Sequence, residues 1–93
     1  MIKSFANKQS EYVWVGERIK KPSLQVQHYT RRKLRMLNNA QDVTDLRIAP
    51  ANSLEKLSGN LKRFHSIRIN KQWRIIFVWK DGNAFEVEIC GYH

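Results

Sequence analysis

His93, Tyr92, Arg74 and Glu55 are the side chains whose chemistry stands out in this sequence. Histidine exchanges a proton near neutral pH, and tyrosine and glutamate can give or take one when their surroundings assist. Arginine carries a permanent charge on a planar fork that matches phosphate oxygens. Such a set suits cleavage of an RNA backbone by the neighbouring ribose 2′-hydroxyl. That attack needs an acceptor for the hydroxyl proton, a donor for the departing 5′-oxygen, and cations against the charge growing around phosphorus. His93 or Glu55 can serve as the base and His93 or Tyr92 as the acid, with Arg74 and nearby lysines facing the phosphate. The reaction needs no metal. The sequence also offers no metal site, since three scattered histidines and one cysteine provide no ligand pair at helical or finger spacing. No cofactor is expected.

For these groups to meet, the last third of the chain must form a sheet. The runs HSIRI, WRIIFVW and AFEVEIC are rich in β-formers, and the Asp81-Gly82 dipeptide between the last two signals a hairpin. A two-residue loop would pair Phe77 with Glu86 and Ile75 with Glu88, setting acids against the most apolar face. A three-residue loop, Asp81-Gly82-Asn83, pairs Trp79 with Phe85, Phe77 with Val87 and Ile75 with Ile89, and is the register expected. Trp73 and Trp79 then join the apolar face, while Arg74, Lys80, Glu86 and Glu88 point the other way. Arg74 falls opposite Ile89 or Cys90, within roughly 7–13 Å of Tyr92 and His93. Arg68, between Ile67 and Ile69, also points away from the core. A cross-strand pair of Arg74 with Glu88 is the purely structural alternative.

The first half reads as one strand and two helices. IKSF is a short strand suited to a sheet edge. SEYVWVGERIK can form a weak helix, because Val13 and Val15 are β-branched and Gly16 favours a stop. In KPSLQVQHYTRRKLRMLNNA, Pro22 suits the first turn, and Val26, Tyr29, Leu34 and Leu37 recur at helical spacing. TDLRIAPANSLEKLSGNLKRF reads as a long loop, with a short turn at SLEKL that can fold Glu55 and Lys56 over one end of the sheet. The expected architecture is α+β: an N-terminal strand and two helices packed on a curved, mainly antiparallel sheet, as one domain over residues 1–93.

Charge points to the partner. Seventeen Lys and Arg against eight Asp and Glu give a net charge of +9 on 93 residues. An excess of this kind attracts polyanions, with nucleic acid ahead of an acidic protein partner. The RNA-binding candidates are Lys56, Lys62, Arg63, Arg68 and Lys71 around the sheet, and Arg31, Arg32 and Arg35 in RRKLR. That last run reads as an RNA-binding helix or equally as an ordinary solvated face. His28, His65 and the three tryptophans read as structural. No apolar run approaches the ~20 residues of a membrane span, and the N-terminus lacks the apolar core of a signal peptide. A cytoplasmic protein with no membrane partner is expected.

Leu57 to His93, LSGNLKRFHSIRINKQWRIIFVWKDGNAFEVEICGYH, closely resembles the C-terminal half of the HigB-type toxins of the RelE superfamily. The shared pattern is a Leu-x-Gly loop, Ser-Ile, then Trp-Arg-Ile-x-Phe, an Asp-Gly turn, an alternating strand and Tyr-His; IKSF fits as well. The resemblance implies a RelE-like fold and a ribosome-dependent endoribonuclease that cuts mRNA during translation. It also implies a HigA-type helix-turn-helix antitoxin as partner, with operator DNA met only through that antitoxin. Arg74 matches the family's strand arginine, Tyr92 and His93 its terminal catalytic pair, and the loop before Gly59 a segment supplying further active-site groups. Two departures, Gly91 where an acidic residue is common and Ser58 in a Leu-Lys-Gly element, lead to the expectation of a weak nuclease. The alternatives are a non-catalytic RNA- or ribosome-binding protein and a basic co-repressor subunit of an antitoxin.

Overall fold

Local signals set the helix ends in the computed structural model, which describes residues 1–91. Asn7 caps α1 (Lys8–Trp14) by accepting a hydrogen bond from the Ser10 N–H at 2.9 Å. At the other end Gly16, with φ 91°, turns left-handed. The Gly16 N–H then reaches the Val13 carbonyl and the Glu17 N–H the Tyr12 carbonyl, the paired bonds of a Schellman close. α1 therefore stops at Trp14, and Glu17 to Lys20 run on outside it.

Helix α2 (Leu24–Asn39) is capped by Ser23, whose hydroxyl accepts from the Val26 N–H. Pro22, expected inside the first turn, instead precedes the cap. Leu34 and Leu37 are fully buried, whereas Tyr29, expected on the same stripe, is exposed. The remaining inward positions hold polar side chains, Gln27, Thr30 and Lys33. Each is satisfied there: Thr30 donates to the Val26 carbonyl, Gln27 to the carbonyls of Ile19 and Pro22, and Lys33 to the Asn52 side chain. Buried polar groups need such partners.

The sheet is an antiparallel meander of four strands in chain order: β1 (Glu55–Lys56), β2 (Phe64–Arg68), β3 (Trp73–Lys80) and β4 (Asn83–Gly91). Its inner face carries Ile67, Ile75, Phe77 and Val87, which pack with Val13, Leu34, Leu37 and Leu46 as the core. Full burial of each such side chain contributes roughly 1.5–3 kcal/mol. Trp73 and Trp79 pack half-buried against the same cluster, on the apolar face as expected. The N-terminal segment lies along the free edge of β4 in parallel, through bridges of Ile2 to Ala84 and Phe5 to Val87. Covering that edge blocks intermolecular strand pairing. Helices on one face of an antiparallel sheet make this an α+β fold.

The β3–β4 register corrects the expectation in one half and meets it in the other. The loop has two residues, not three: Lys80 pairs with Asn83, Trp79 with Ala84 and Val78 with Phe85. Asp81 and Gly82 take φ 53° and 78°, the left-handed pair that a type I′ turn requires. Phe85 thereby falls on the outer face rather than opposite Trp79. A β-bulge between Ile76 and Val78 then inserts one extra residue on β4, where Glu86 has φ 52°. Beyond it Ile75 pairs with Ile89 and Arg74 with Cys90. The tight turn and the inward placement of Val87 are incompatible in a regular ladder, and the bulge reconciles them.

The long segment between α2 and β2 is built of short 3₁₀ turns, Val43–Arg47, Pro50–Asn52 and Gly59–Leu61, around the two-residue β1. SLEKL, expected as a turn, is extended through Glu55 and Lys56, which pair with Ser66 and His65. What fixes it is Asn52, fully buried, whose amide donates to the Leu46 carbonyl at 2.9 Å while its oxygen accepts from Lys33. One asparagine thus ties α2, the first 3₁₀ turn and the strand carrying Glu55.

Candidate active site

The outer face of the sheet, opposite the helices, gathers charged side chains at one end. Directly opposed residues of an antiparallel pair share a face. Arg68, Arg74 and Cys90 therefore form one row across β2, β3 and β4, and Glu55, Ser66, Ile76 and Glu88 form the next. Placing two guanidinium groups opposite each other concentrates positive charge, an arrangement that repels unless an anion is near. Arg68 anchors its Nε on the Asn70 carbonyl at 3.2 Å. Beside it, Ser53, Glu55, Arg68 and Lys71 line a shallow hollow of about 260 Å³. Two strand spacings, roughly 10 Å, separate the backbone at Glu55 from β3, a span that glutamate and arginine side chains can largely bridge.

Cys90 and Glu88 adjoin Arg74; Glu88 was expected only as a structural cross-strand partner of that arginine, and no site role was expected for Cys90. The Cys90 thiol donates to the Glu88 carboxylate at 3.2 Å. Burial, with help from that bond and the carboxylate's charge, pushes the thiol up to about 12, against the opposing pull of Arg74. Cys90 thus stays a neutral thiol and is no nucleophile at neutral pH. What this end of the sheet offers is fixed positive charge beside carboxylates.

Several candidates lie elsewhere. Lys56 points to the other face of β1, beside His65, whose ring stacks on Phe77 at 5.8 Å and whose buried Nδ1 has no hydrogen-bond partner among the described residues. Burial, then the Lys56 charge, holds that imidazole below its ordinary value of 6.5. Lys62 and Arg63 sit before Phe64, at the opposite end of β2 from Arg68, and Arg63 meets the bulged Glu86 at 3.5 Å. Arg31 is an anchor: its Nε donates to the Val13 carbonyl at 2.8 Å, locking α2 to the end of α1. Arg32 and Arg35 are exposed on α2, away from the buried side that meets the sheet. Tyr92 and His93 lie outside the described residues. Sequence reasoning also missed Ser53 and the Lys33–Asn52 tie that holds its loop; burial of Asn52 in a segment of loop-forming residues leaves no pattern to read.

A family model described as RelE-like toxin of type II toxin-antitoxin system HigB matches residues 3–93. Toxin HigB-1 of Vibrio cholerae serotype O1 is 58% identical over 53 residues, which cover 57% of this chain and 56% of that toxin. An uncharacterized protein of Haemophilus influenzae is 42% identical over 53 residues, covering 57% of this chain and 52% of its own length. The matched stretch thus spans about half of either relative. Among solved structures, the YoeB-YefM complex from Staphylococcus aureus superposes with a TM-score of 0.63 at 19% identity, covering 100% of this chain and 98% of the other. The YoeB dimer from the same organism gives 0.59 at 20% identity, covering 99% and 97%. At such identity these two speak for the fold alone.

Proposed function

Because the chain belongs to the HigB family of RelE-like toxins of type II toxin-antitoxin systems, we propose that it is a ribosome-dependent endoribonuclease that cleaves mRNA. The observation that carries this reading is the Arg68–Arg74 row beside Glu55 at one end of the sheet face away from the helices. Arg74, with Arg68, receives the non-bridging oxygens of the scissile phosphate. Glu55 or His93 takes the proton of the 2′-hydroxyl, the 2′-oxygen bonds to phosphorus, and the bond from phosphorus to the 5′-oxygen breaks. His93 or Tyr92 protonates that 5′-oxygen, leaving a 2′,3′-cyclic phosphate and a 5′-hydroxyl. Cations placed where charge develops only in the transition state accelerate the step without tightening ground-state binding. Lys71, lining the same hollow as Glu55 and Arg68, extends the contact to a flanking phosphate.

The same reading gives the protein a cytoplasmic setting and a HigA-type antitoxin as partner. Support for the antitoxin comes from the family itself and from YoeB, whose solved structures include a YoeB-YefM toxin-antitoxin complex. Operator DNA is reached only through that antitoxin, and the domain is taken as residues 1–93. Gly91 beside Trp73 carries no acid, so cleavage is expected to be weak.

The test is 5′-end mapping of a reporter mRNA in a reconstituted translation reaction, with a ribosome-free control. New ends should appear only with ribosomes, disappear with His93→Ala, and fall roughly 100- to 1000-fold with Arg74→Ala, the usual cost of losing one charge-stabilising group. Ribosome binding without new ends from the wild type would leave a binding protein instead of a nuclease.

A further inference from the structure

Arg74 lies on one face of the sheet, and its neighbour Trp73 lies on the other, half-buried against the core. There α1, the segment after it and the ends of β3 and β4 enclose a hollow of about 450 Å³. Trp73, Ile19 and Ile89 give it apolar walls, and Lys20, Lys21 and Gln9 stand at its polar side. Among the described residues no carboxylate side chain lines it. The backbone that carries the lysines is held in place. Buried Gln27 accepts from the Ile19 N–H at 3.2 Å and donates to the Ile19 and Pro22 carbonyls at 2.8 and 2.6 Å, fixing the backbone on both sides of Lys20 and Lys21. Opposite Trp73 stands Gly91, where any Cβ would lie 3.8 Å from the indole ring, so the glycine itself puts no side chain against it.

We propose that this hollow is a nucleotide subsite, in which a base stacks on Trp73 and its phosphate meets Lys20 and Lys21. Proteins that hold single-stranded nucleic acid combine an aromatic platform with a basic wall in this way, and stacking tolerates any base because every base has a π face. The volume falls in the roughly 300–1,000 Å³ range of small-molecule sites. The inference rests on the RNA-cleaving reading above and extends it. An RNA whose scissile phosphate lies on Arg74 and which turns around the end of the sheet brings a flanking nucleotide to Trp73. The subsite then grips the strand on both faces of the sheet and fixes which phosphate reaches Arg74.

Adenosine and uridine monophosphates titrated into the ¹⁵N-labelled full chain test this directly. Three indole N–H signals are followed, with that of Trp73 assigned through Trp73→Phe. It should shift saturably while those of Trp14 and Trp79 stay put. The combined Lys20→Glu and Lys21→Glu variant changes only exposed side chains, so its fold should persist and its affinity should drop roughly 10- to 100-fold. A Trp73 signal indifferent to both nucleotides overturns the subsite, as does an unchanged affinity in the lysine variant. Inorganic phosphate that moves the amides of Lys20 and Lys21, with no indole shift added by either nucleotide, overturns it too. The cleavage reading fails separately: nucleotide binding at Trp73 with no ribosome-dependent ends keeps the subsite and removes the nuclease, and the reverse result removes only the subsite.

Discussion

At the scale of the residue, burial keeps two groups neutral, raising the thiol of Cys90 and lowering the imidazole of His65. Cys90 lies in the row of Arg74, yet burial and the Glu88 carboxylate keep its proton on. His65 loses its proton more readily than usual, first through burial and then through the Lys56 charge. The sign of the consequence is fixed. The folded state favours the neutral ring, so its contribution is complete above the unfolded value of 6.5 and is lost as pH falls from there through the lowered folded value. Thermal melting should therefore fall on acidification through that window. His65→Phe, which keeps a ring against Phe77 and cannot protonate, should lose that part of the decline; parallel melting curves for both proteins would remove His65 from the account. Arg74 and Arg68 were legible as outward-facing residues from strand alternation alone. Glu88 was legible on the same face, but the Cys90–Glu88 bond beside Arg74 was not, because the register left Arg74 opposite either Ile89 or Cys90.

At the scale of the element, two local devices position the charged face. The first is the β4 bulge. Asp81-Gly82 correctly announced a hairpin, but two readings of the register competed, one favoured by turn chemistry and one by the apolar face. The structure keeps both, one on each side of Glu86, and no periodicity argument that assumes a regular ladder can find that solution. The second is the loop before β1, where sequence reading supplied only its irregularity. Its order comes from Asn52, which accepts a hydrogen bond from the Lys33 ammonium, itself also 5.2 Å from the Tyr29 ring. Asn52→Ala leaves a buried cation without its acceptor and should cost roughly 3 kcal/mol. Lys33→Met alongside it removes the charge too, so the double variant should be more stable than the sum of the two single changes predicts. Denaturant unfolding of the four proteins measures this coupling. Additive costs would mean that the contact does not hold the loop, and Glu55 would then owe its place to the pairing of β1 alone.

At the scale of the whole molecule, charge is spread over a body only 31 × 26 × 25 Å in extent. The sheet divides it. Arg68, Arg74 and Lys71 belong to the outer side, and Arg32 and Arg35 to the helical side. A net +9 thus serves two surfaces at once. Replacing Arg32 and Arg35 with alanine should weaken ribosome association and flatten its dependence on salt, each lost phosphate contact lowering the slope by about one. The single-turnover rate of bound complexes should stay as in the wild type. A slower bound-state rate would mean that the helical side also orders the substrate.

The first residues of the chain carry a different kind of consequence. Ile2 and Phe5 bridge to Ala84 and Val87, the Ile2 N–H also donates to the Asn38 side chain at 2.9 Å, and Ser4 accepts the Glu86 N–H from 82 positions away. During synthesis the opening segment cannot make its strand bridges until β4 has been made and has left the exit tunnel. Closing so long a loop is entropically slow compared with forming the β2–β3 hairpin. A nascent chain stalled before β4 therefore lacks Val87 in its core and one flank of Arg74. Under the proposed function, such a chain should not cut the mRNA it is being made from until synthesis is complete.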